Sequence, residues 1–269
     1  MSILKNRTKI IKLTQLNTIQ KTLFIGKKYH HFSELASTNE YAKRLLSKSK
    51  PLDGTVISTY RQVAGMGQGG SFWESEPDKN ISMSVILHPH FINAQEQFIL
   101  NQAVALGVLD FVKKYINVGA KIKWSNDIYI FDKKIAGILI QNTLISKHIQ
   151  SSIIGVGINI NQTIFESDAP NPTSFKLETQ KDFDLDELLE MLCWKIETRY
   201  LQLKTDATQK LKAEYLENLY RYMEDVLYQL PDGEIFTGRI IGVASFGKLS
   251  LQTQKGIQNF NTKEVKFVI

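Results

Sequence analysis

Two short β-rich runs, Lys123-Trp-Ser-Asn-Asp-Ile-Tyr129 and Lys134-Ile-Ala-Gly-Ile-Leu-Ile140, lie back to back with only a few residues between them. So close a spacing leaves room for a hairpin and for little else. The apolar residues Ile135, Ile138, Leu139 and Ile140 read as a buried strand, and Gly137 within it marks a place where backbone or ligand approaches closely. Lys134 opens that strand, Asn126 and Asp127 close the preceding turn, and the hairpin therefore carries a cation, an amide and a carboxylate along one rim. Each has a plain structural reading, a lysine snorkelling at a strand edge and an Asn-Asp turn pair. Against that stands a second glycine-punctuated strand downstream, Ile154-Gly-Val-Gly-Ile-Asn-Ile-Asn161.

Around this hairpin the pattern is that of an α/β (α+β) protein. Strands are expected at 28–32, at 55–62 after Asp53-Gly54, at 81–87 and through 150–161, and a buried helix at 95–116 stopped by Asn117-Val-Gly119. Residues 162–182, with Pro170, Asn171 and Pro172, read as a loop, and helices follow from Asp184 to about Leu203 and from Thr205 to about Tyr222. From Val226 onward short β-like runs alternate with Pro231-Asp-Gly233, Gly242, Ser245-Phe-Gly247 and Lys255-Gly256. That change of rhythm places a boundary near Met223, with residues 1–223 as one domain and 224–269 as a small antiparallel barrel.

Two further segments bear on function. Ser37-Thr38-Asn39 precedes a short helix, where its hydroxyls cap the helix, bind a polar ligand, or do both. Gly65-Met-Gly-Gln-Gly-Gly-Ser-Phe-Trp73, bounded by Gln62 and Trp73, is either a plain surface loop or a backbone cradle, and a large aromatic closing a glycine loop favours a ligand beneath it. No Gly-Lys-Ser or Gly-Lys-Thr ends it, which excludes a P-loop.

The 43% apolar content of 269 residues supports a large core, and the single Cys193, in an amphipathic run, excludes both a disulfide framework and a cysteine zinc site. No membrane span or secretory signal is evident, so a cytoplasmic protein is expected. The net charge of +6 raises the question of a nucleic-acid partner. The densest basic region is Lys5, Arg7, Lys9, Lys12, Lys21, Lys27 and Lys28, interspersed with polar residues. It reads as a solvated end, so residues 1–27 are expected to be extended or poorly ordered, with no nucleic-acid partner.

From about residue 30 to the end, these segments in this order resemble the biotin–protein ligases. Ser37-Thr-Asn39 matches the start of that family's first helix, and Gln62, Gly65-x-Gly67 and Trp73 match its biotin loop. Lys123-Trp-Ser-Asn-Asp127 resembles its Lys-Trp-Pro-Asn-Asp run, Lys134-Ile-Ala-Gly137 its Lys-Leu-x-Gly, and Gly155-Val-Gly-Ile-Asn159 its late asparagine motif. The resemblance implies a mixed-sheet catalytic domain with a C-terminal SH3-like β-barrel. It implies activation of biotin by MgATP to biotinyl-5′-AMP, then transfer to a lysine of a biotin carboxyl carrier protein. Lys134 and Asp127 would be catalytic, with Asp127 orienting the acceptor lysine or helping to hold Mg²⁺, and no metal ligand set is defined. Ser37, Thr38, Asn39, Gln62, Gly65, Met66, Gly67, Gln68, Lys134 and Gly137 would hold biotin, and Trp73, Lys123, Asn126 and Asn159 the nucleotide. The chain departs from the pattern where Met66 and Gln68 stand for arginines and Ser125 for a proline. No N-terminal DNA-binding domain is expected, so a regulatory role is not implied, and a monomer or homodimer is expected. A lipoate or octanoate ligase of related fold, and a non-catalytic relative that binds biotin or the carrier, are the alternative readings.

Overall fold

The computed structural model describes residues 19–167, 170–205 and 207–268. In chain order it contains β1 (Tyr29–Phe32), α1 (Thr38–Lys48), β2 (Thr55–Thr59), β3 (Gly65–Met66), β4 (Phe72–Trp73), β5 (Ile81–Leu87), α2 (Phe98–Tyr115), β6 (Ala120–Lys123), β7 (Asp127–Ile130), β8 (Lys133–Ile145) and β9 (His148–Ile158). There follow α3 (Phe175–Thr179), α4 (Leu185–Leu203), α5 (Thr208–Glu217) and the strands β10 (Asp225–Gln229), β11 (Ile235–Val243), β12 (Leu249–Thr253), β13 (Gly256–Phe260) and β14 (Lys266–Phe267). Seven strands form one mixed sheet in the order β1-β2-β5-β9-β8-β7-β6, with β1 and β2 parallel and the other pairs antiparallel.

Strand periodicity explains how one sheet serves two purposes. In β5, Ile81, Met83, Val85 and Leu87 point into the large core shared with α2 and α4, while Ile86 joins a smaller cluster under α1 with Phe32, Ala42, Ile57 and Ile153. Ser82 and Ser84 share the face of Ile86, because side chains alternate along a strand. On β9, likewise, Ile154, Val156 and Ile158 enter the large core and leave Gly155 and Gly157 on the opposite face. Register then aligns the small residues: Ser82 pairs with Gly157, Gly157 with Gly137, and Gly137 with Asp127. A row without bulk crosses four strands and ends on a carboxylate.

The expected elements from 28 to 161 are present, with β2 ending at Thr59 and Gln62 held instead by a parallel bridge to Leu35. Three expectations are corrected. Residues 19–27 are irregular but packed: Ile19 and Ile25 are buried, and the buried Glu197 carboxylate accepts the N–H groups of Leu23, Phe24 and Ile25 at 2.5–2.8 Å. Their order comes from α4, out of reach of local pattern; Lys5, Arg7, Lys9 and Lys12 lie outside the described residues. Residues 162–182 are not all loop, since Ser174 caps the short α3 and Phe175 is buried among Phe111, Tyr115 and Phe183. The helix expected to reach Tyr222 stops at Glu217, where the chain straightens so that Leu219 bridges Ile122 and Tyr222 bridges Ile240.

The C-terminal strands form a separate antiparallel sheet in the order β13-β12-β11-β10-β14. It meets the rest of the protein where Trp124 Nε1 donates to the Gly247 carbonyl at 2.9 Å and Phe98 presses on Gly247, whose φ of +80° suits a residue without a side chain. Cys193 is a fully buried core thiol.

Candidate active site

The row of small residues is the floor of a trough, and two groups lie on it. Added methyl groups at Gly137 and Gly157 would come within 3.0 and 2.5 Å of the Trp73 indole, and one at Gly155 would collide with the Asn39 amide. Trp73 reaches the floor because β3 and β4 pair Gly65 with Trp73 and Met66 with Phe72, folding the glycine-rich segment back over the sheet. Gly69 and Gly70, both at positive φ, form its tip. The resulting cavity of about 240 Å³ is lined by Ser37, Thr38, Asn39, Gln62, Met66, Gly67, Gln68, Trp73, Asn126, Asp127, Lys134 and Gly137, among others.

One end of the cavity is polar and buried. Ser37 caps α1, Thr38 donates its N–H to Gln62 Oε1 at 2.9 Å, and the Ser84 hydroxyl donates to Asn39 Oδ1 at 2.6 Å while lying 2.8 Å from Thr38 Oγ1. Capping and lining therefore coincide at Ser37. Such an array of hydroxyls and amides, each with capacity to spare, suits a neutral ligand edge offering both donors and acceptors.

The other end is charged. Lys134 Nζ sits 2.8 Å from Asp127 Oδ1, the two side chains 26% and 23% exposed, and 5.6 Å from the centre of the Trp73 ring. The backbone of Lys134 is clamped by the segment 170–173: its N–H donates to Asn171 and its carbonyl accepts from Thr173, both at 2.8 Å. Beyond this pair opens a second cavity of about 600 Å³, lined by Lys123, Tyr129, Asn159, Phe165, Glu166 and Pro172 and sharing Ser71, Phe72, Trp73, Asp127 and Lys134 with the first. Two compartments meet at one ion pair.

Most of the residues singled out from the sequence converge here, with refinements. Trp73 stands between the cavities, so it faces the trough as well as the nucleotide side expected of it. Gly65 lines neither cavity; a side chain there would strike the Trp73 carbonyl and Gln62, and its smallness lets the hairpin close. Asn126 lines the first cavity and spends its amide nitrogen on the Ile138 carbonyl. Asn159 is buried, donates to the Thr173 carbonyl at 2.9 Å, and keeps its Oδ1 without a partner among the described residues. Lys123 donates to Tyr129 Oη at 3.0 Å over the rings of Tyr129 and Phe267, and burial pushes it down to about 8, Asp127 partly offsetting this.

Ser82, Ser71, Phe72, Thr262 and Lys263 line the first cavity unforeseen, and Ser84 bonds two of its lining residues, Thr38 and Asn39. The alternation in Ile81-Ser-Met-Ser-Val was a signal for the two β5 serines, since their apolar neighbours had already taken the core face. Nothing local marked Thr262 and Lys263, which arrive from the C-terminal sheet. Among the described residues no three His, Cys, Asp or Glu side chains gather to hold a metal ion.

Comparison with known proteins points the same way. The Biotin/lipoate A/B protein ligase family matches residues 32–159, the span that builds the trough, the loop and the ion pair. The bifunctional ligase/repressor BirA of Bacillus spizizenii is 28% identical over 251 residues, 91% of this chain and 76% of that protein. These matches support a biotin–protein ligase. The biotin–[acetyl-CoA-carboxylase] ligase of Mycobacterium tuberculosis is 28% identical over 222 residues, 81% of each chain. The Aquifex aeolicus biotin protein ligase, solved in complex with biotin and ATP, superposes with a TM-score of 0.74 at 25% identity, covering 90% of this chain and all of that one. The mixed sheet is the fold of these ligases. Among the described residues no helix is long and apolar enough to cross a membrane.

Proposed function

We propose that this chain is an ATP-dependent biotin–protein ligase, and the observation that carries the reading is the pair of cavities meeting at Lys134 and Asp127. A ligase that activates an acid with ATP needs the acid and the α-phosphate to meet in one water-poor place beside a fixed cation. The ureido ring of biotin, a neutral edge with two N–H groups and a carbonyl, suits the Ser37, Thr38, Asn39 and Gln62 end of the first cavity. Its aliphatic arm follows the glycine floor towards Lys134, while ATP occupies the second cavity with Lys123 and Asn159 at hand and Asn126 on the side of the first.

In the first step a biotin carboxylate oxygen attacks the α-phosphorus, the bond to the β-phosphate oxygen breaks, and pyrophosphate leaves. Lys134 exchanges Asp127 for the carboxylate and then for the charge growing on the α-phosphate. In the second step the amine of an acceptor lysine attacks the acyl carbon and AMP departs with the bonding pair. Asp127, released from Lys134, receives the acceptor's proton and orients the amine. Mg²⁺ bound to the ATP phosphates would be held with help from Asp127, at the edge of the second cavity, and would offset part of the phosphate charge. The acceptor is a lysine of a biotin carboxyl carrier protein, the setting is cytoplasmic, and residues 224–269 form an SH3-like domain beside the catalytic domain 1–223.

The test is pyrophosphate release by the purified chain with ATP and either biotin or lipoate, followed by the mass of a biotin carboxyl carrier domain. Release with biotin and a single biotinyl addition are expected. Release with lipoate alone would reassign the substrate, and tight biotin binding without pyrophosphate would leave a non-catalytic relative.

A further inference from the structure

Lys134 is already paired in the free protein, whereas a second lysine at the first cavity is not. Lys263 sits in the turn between β13 and β14 and has no carboxylate within ion-pair distance among the described residues. Its Nζ donates to the Gly69 carbonyl at 2.9 Å, the tip of the glycine loop, from the other sheet of the molecule. The turn is built to aim it. Lys263 adopts φ +73°, a conformation uncommon outside glycine, and Glu264 holds the turn by accepting the Asn261 N–H at 2.6 Å and the Asn261 side-chain amide at 2.8 Å. The loop itself brings no cation to the cavity, since it carries Met66 and Gln68 there.

We propose that Lys263 is the second cation of the acyl-adenylate site, leaving the Gly69 carbonyl to contact the anionic end of bound biotin and the phosphate of biotinyl-AMP. This rests on the ligase reading above. A charged ammonium gains more from a carboxylate or phosphate than from a neutral carbonyl, and that difference drives the exchange. The C-terminal sheet thereby contributes a binding group to the reaction, and the reactive adenylate is retained only while that sheet is docked.

The test measures escape of preformed biotinyl-AMP from the full chain and from Lys263→Gln and Lys263→Arg, with affinities for biotin and for biotinol, its uncharged alcohol. Glutamine keeps a donor for Gly69 without the charge, and arginine keeps the charge. Lys263→Gln is expected to speed escape about tenfold and to weaken biotin but not biotinol, while Lys263→Arg stays within about threefold of the parent. Unchanged escape in Lys263→Gln, or equal weakening of biotin and biotinol, would overturn the proposal and leave Lys263 as a tether of the loop. If the parent chain forms no biotinyl-AMP when mixed with biotin and ATP, the ligase reading itself falls, and the cation role falls with it.

Discussion

At the scale of single residues, the proposed reaction turns on a lysine whose partner must be exchanged. Lys134→Ala removes a charge from a partly buried pair beside the point where charge develops, so biotin-dependent pyrophosphate release should fall about a hundredfold or more. Near-normal turnover at saturating biotin would reduce Lys134 to a strand-edge lysine. Lys123 makes a pH-dependent prediction. Burial lowers it to about 8, so the free protein loses that charge as pH rises through 8, whereas bound phosphates favour the protonated form. ATP binding should take up protons there, and ATP affinity should decline between about pH 7.5 and 9 in the parent but stay flat in Lys123→Gln. Titration calorimetry in two buffers of different ionisation enthalpy checks both. Gly155→Ala would drive a methyl group into the Asn39 amide. A rise of about tenfold in KM for biotin is expected, one hydrogen bond's worth, with little change in thermal stability. Lys134, Asp127, Asn39 and Gln62, which the family resemblance singled out beforehand, line one cavity, although each also had a plain local reading as an edge lysine, a turn residue, a helix start or a loop boundary. Ser82 and Ser84 were not singled out, because a serine in an alternating strand usually faces water.

The glycine-rich loop shows what an element adds to its residues. Its hairpin pairing, Gly65 to Trp73, carries an indole onto glycines that are neighbours only through the register of β8 and β9. Gln68 lines the cavity with its Oε1 3.4 Å from Ser125 Oγ, a neutral contact where an arginine would bring a charged fork. Gln68→Arg should therefore slow the escape of biotinyl-AMP by about tenfold, measured by the dissociation rate of preformed adenylate. An unchanged or faster rate would show that Gln68 does not face the acyl phosphate. Strands and long helices were readable because hydrophobic period reports which face is buried. The segment 170–173 read only as a proline loop, and its role in clamping the backbone of Lys134 is a pairing between residues far apart in sequence.

Across the whole molecule, one of the contacts that join the two sheets lies around Gly247. Its positive φ and the adjoining Phe98 ring leave no room for a side chain. Gly247→Ala should destabilise the protein by about 1–3 kcal/mol and speed adenylate escape, seen together in thermal melts and in dissociation rates. A variant equally stable and equally retentive would show that the docking does not depend on this contact. What the sequence determined by itself was the class of fold and the order of its elements, with a family resemblance carried by the segments Ser37–Asn39, Gly65–Trp73, Lys123–Asp127 and Lys134–Gly137. Those properties follow from local spacing, since a strand's alternation and a turn's glycines act over a few residues. Tertiary structure alone decided that Ser82, Gly157, Gly137 and Asp127 form one row, that Asp127 pairs with Lys134, and that Lys263 arrives from the other sheet. Strand register and the docking of one sheet on another depend on the packing of the whole core, and no stretch of sequence holds that information by itself.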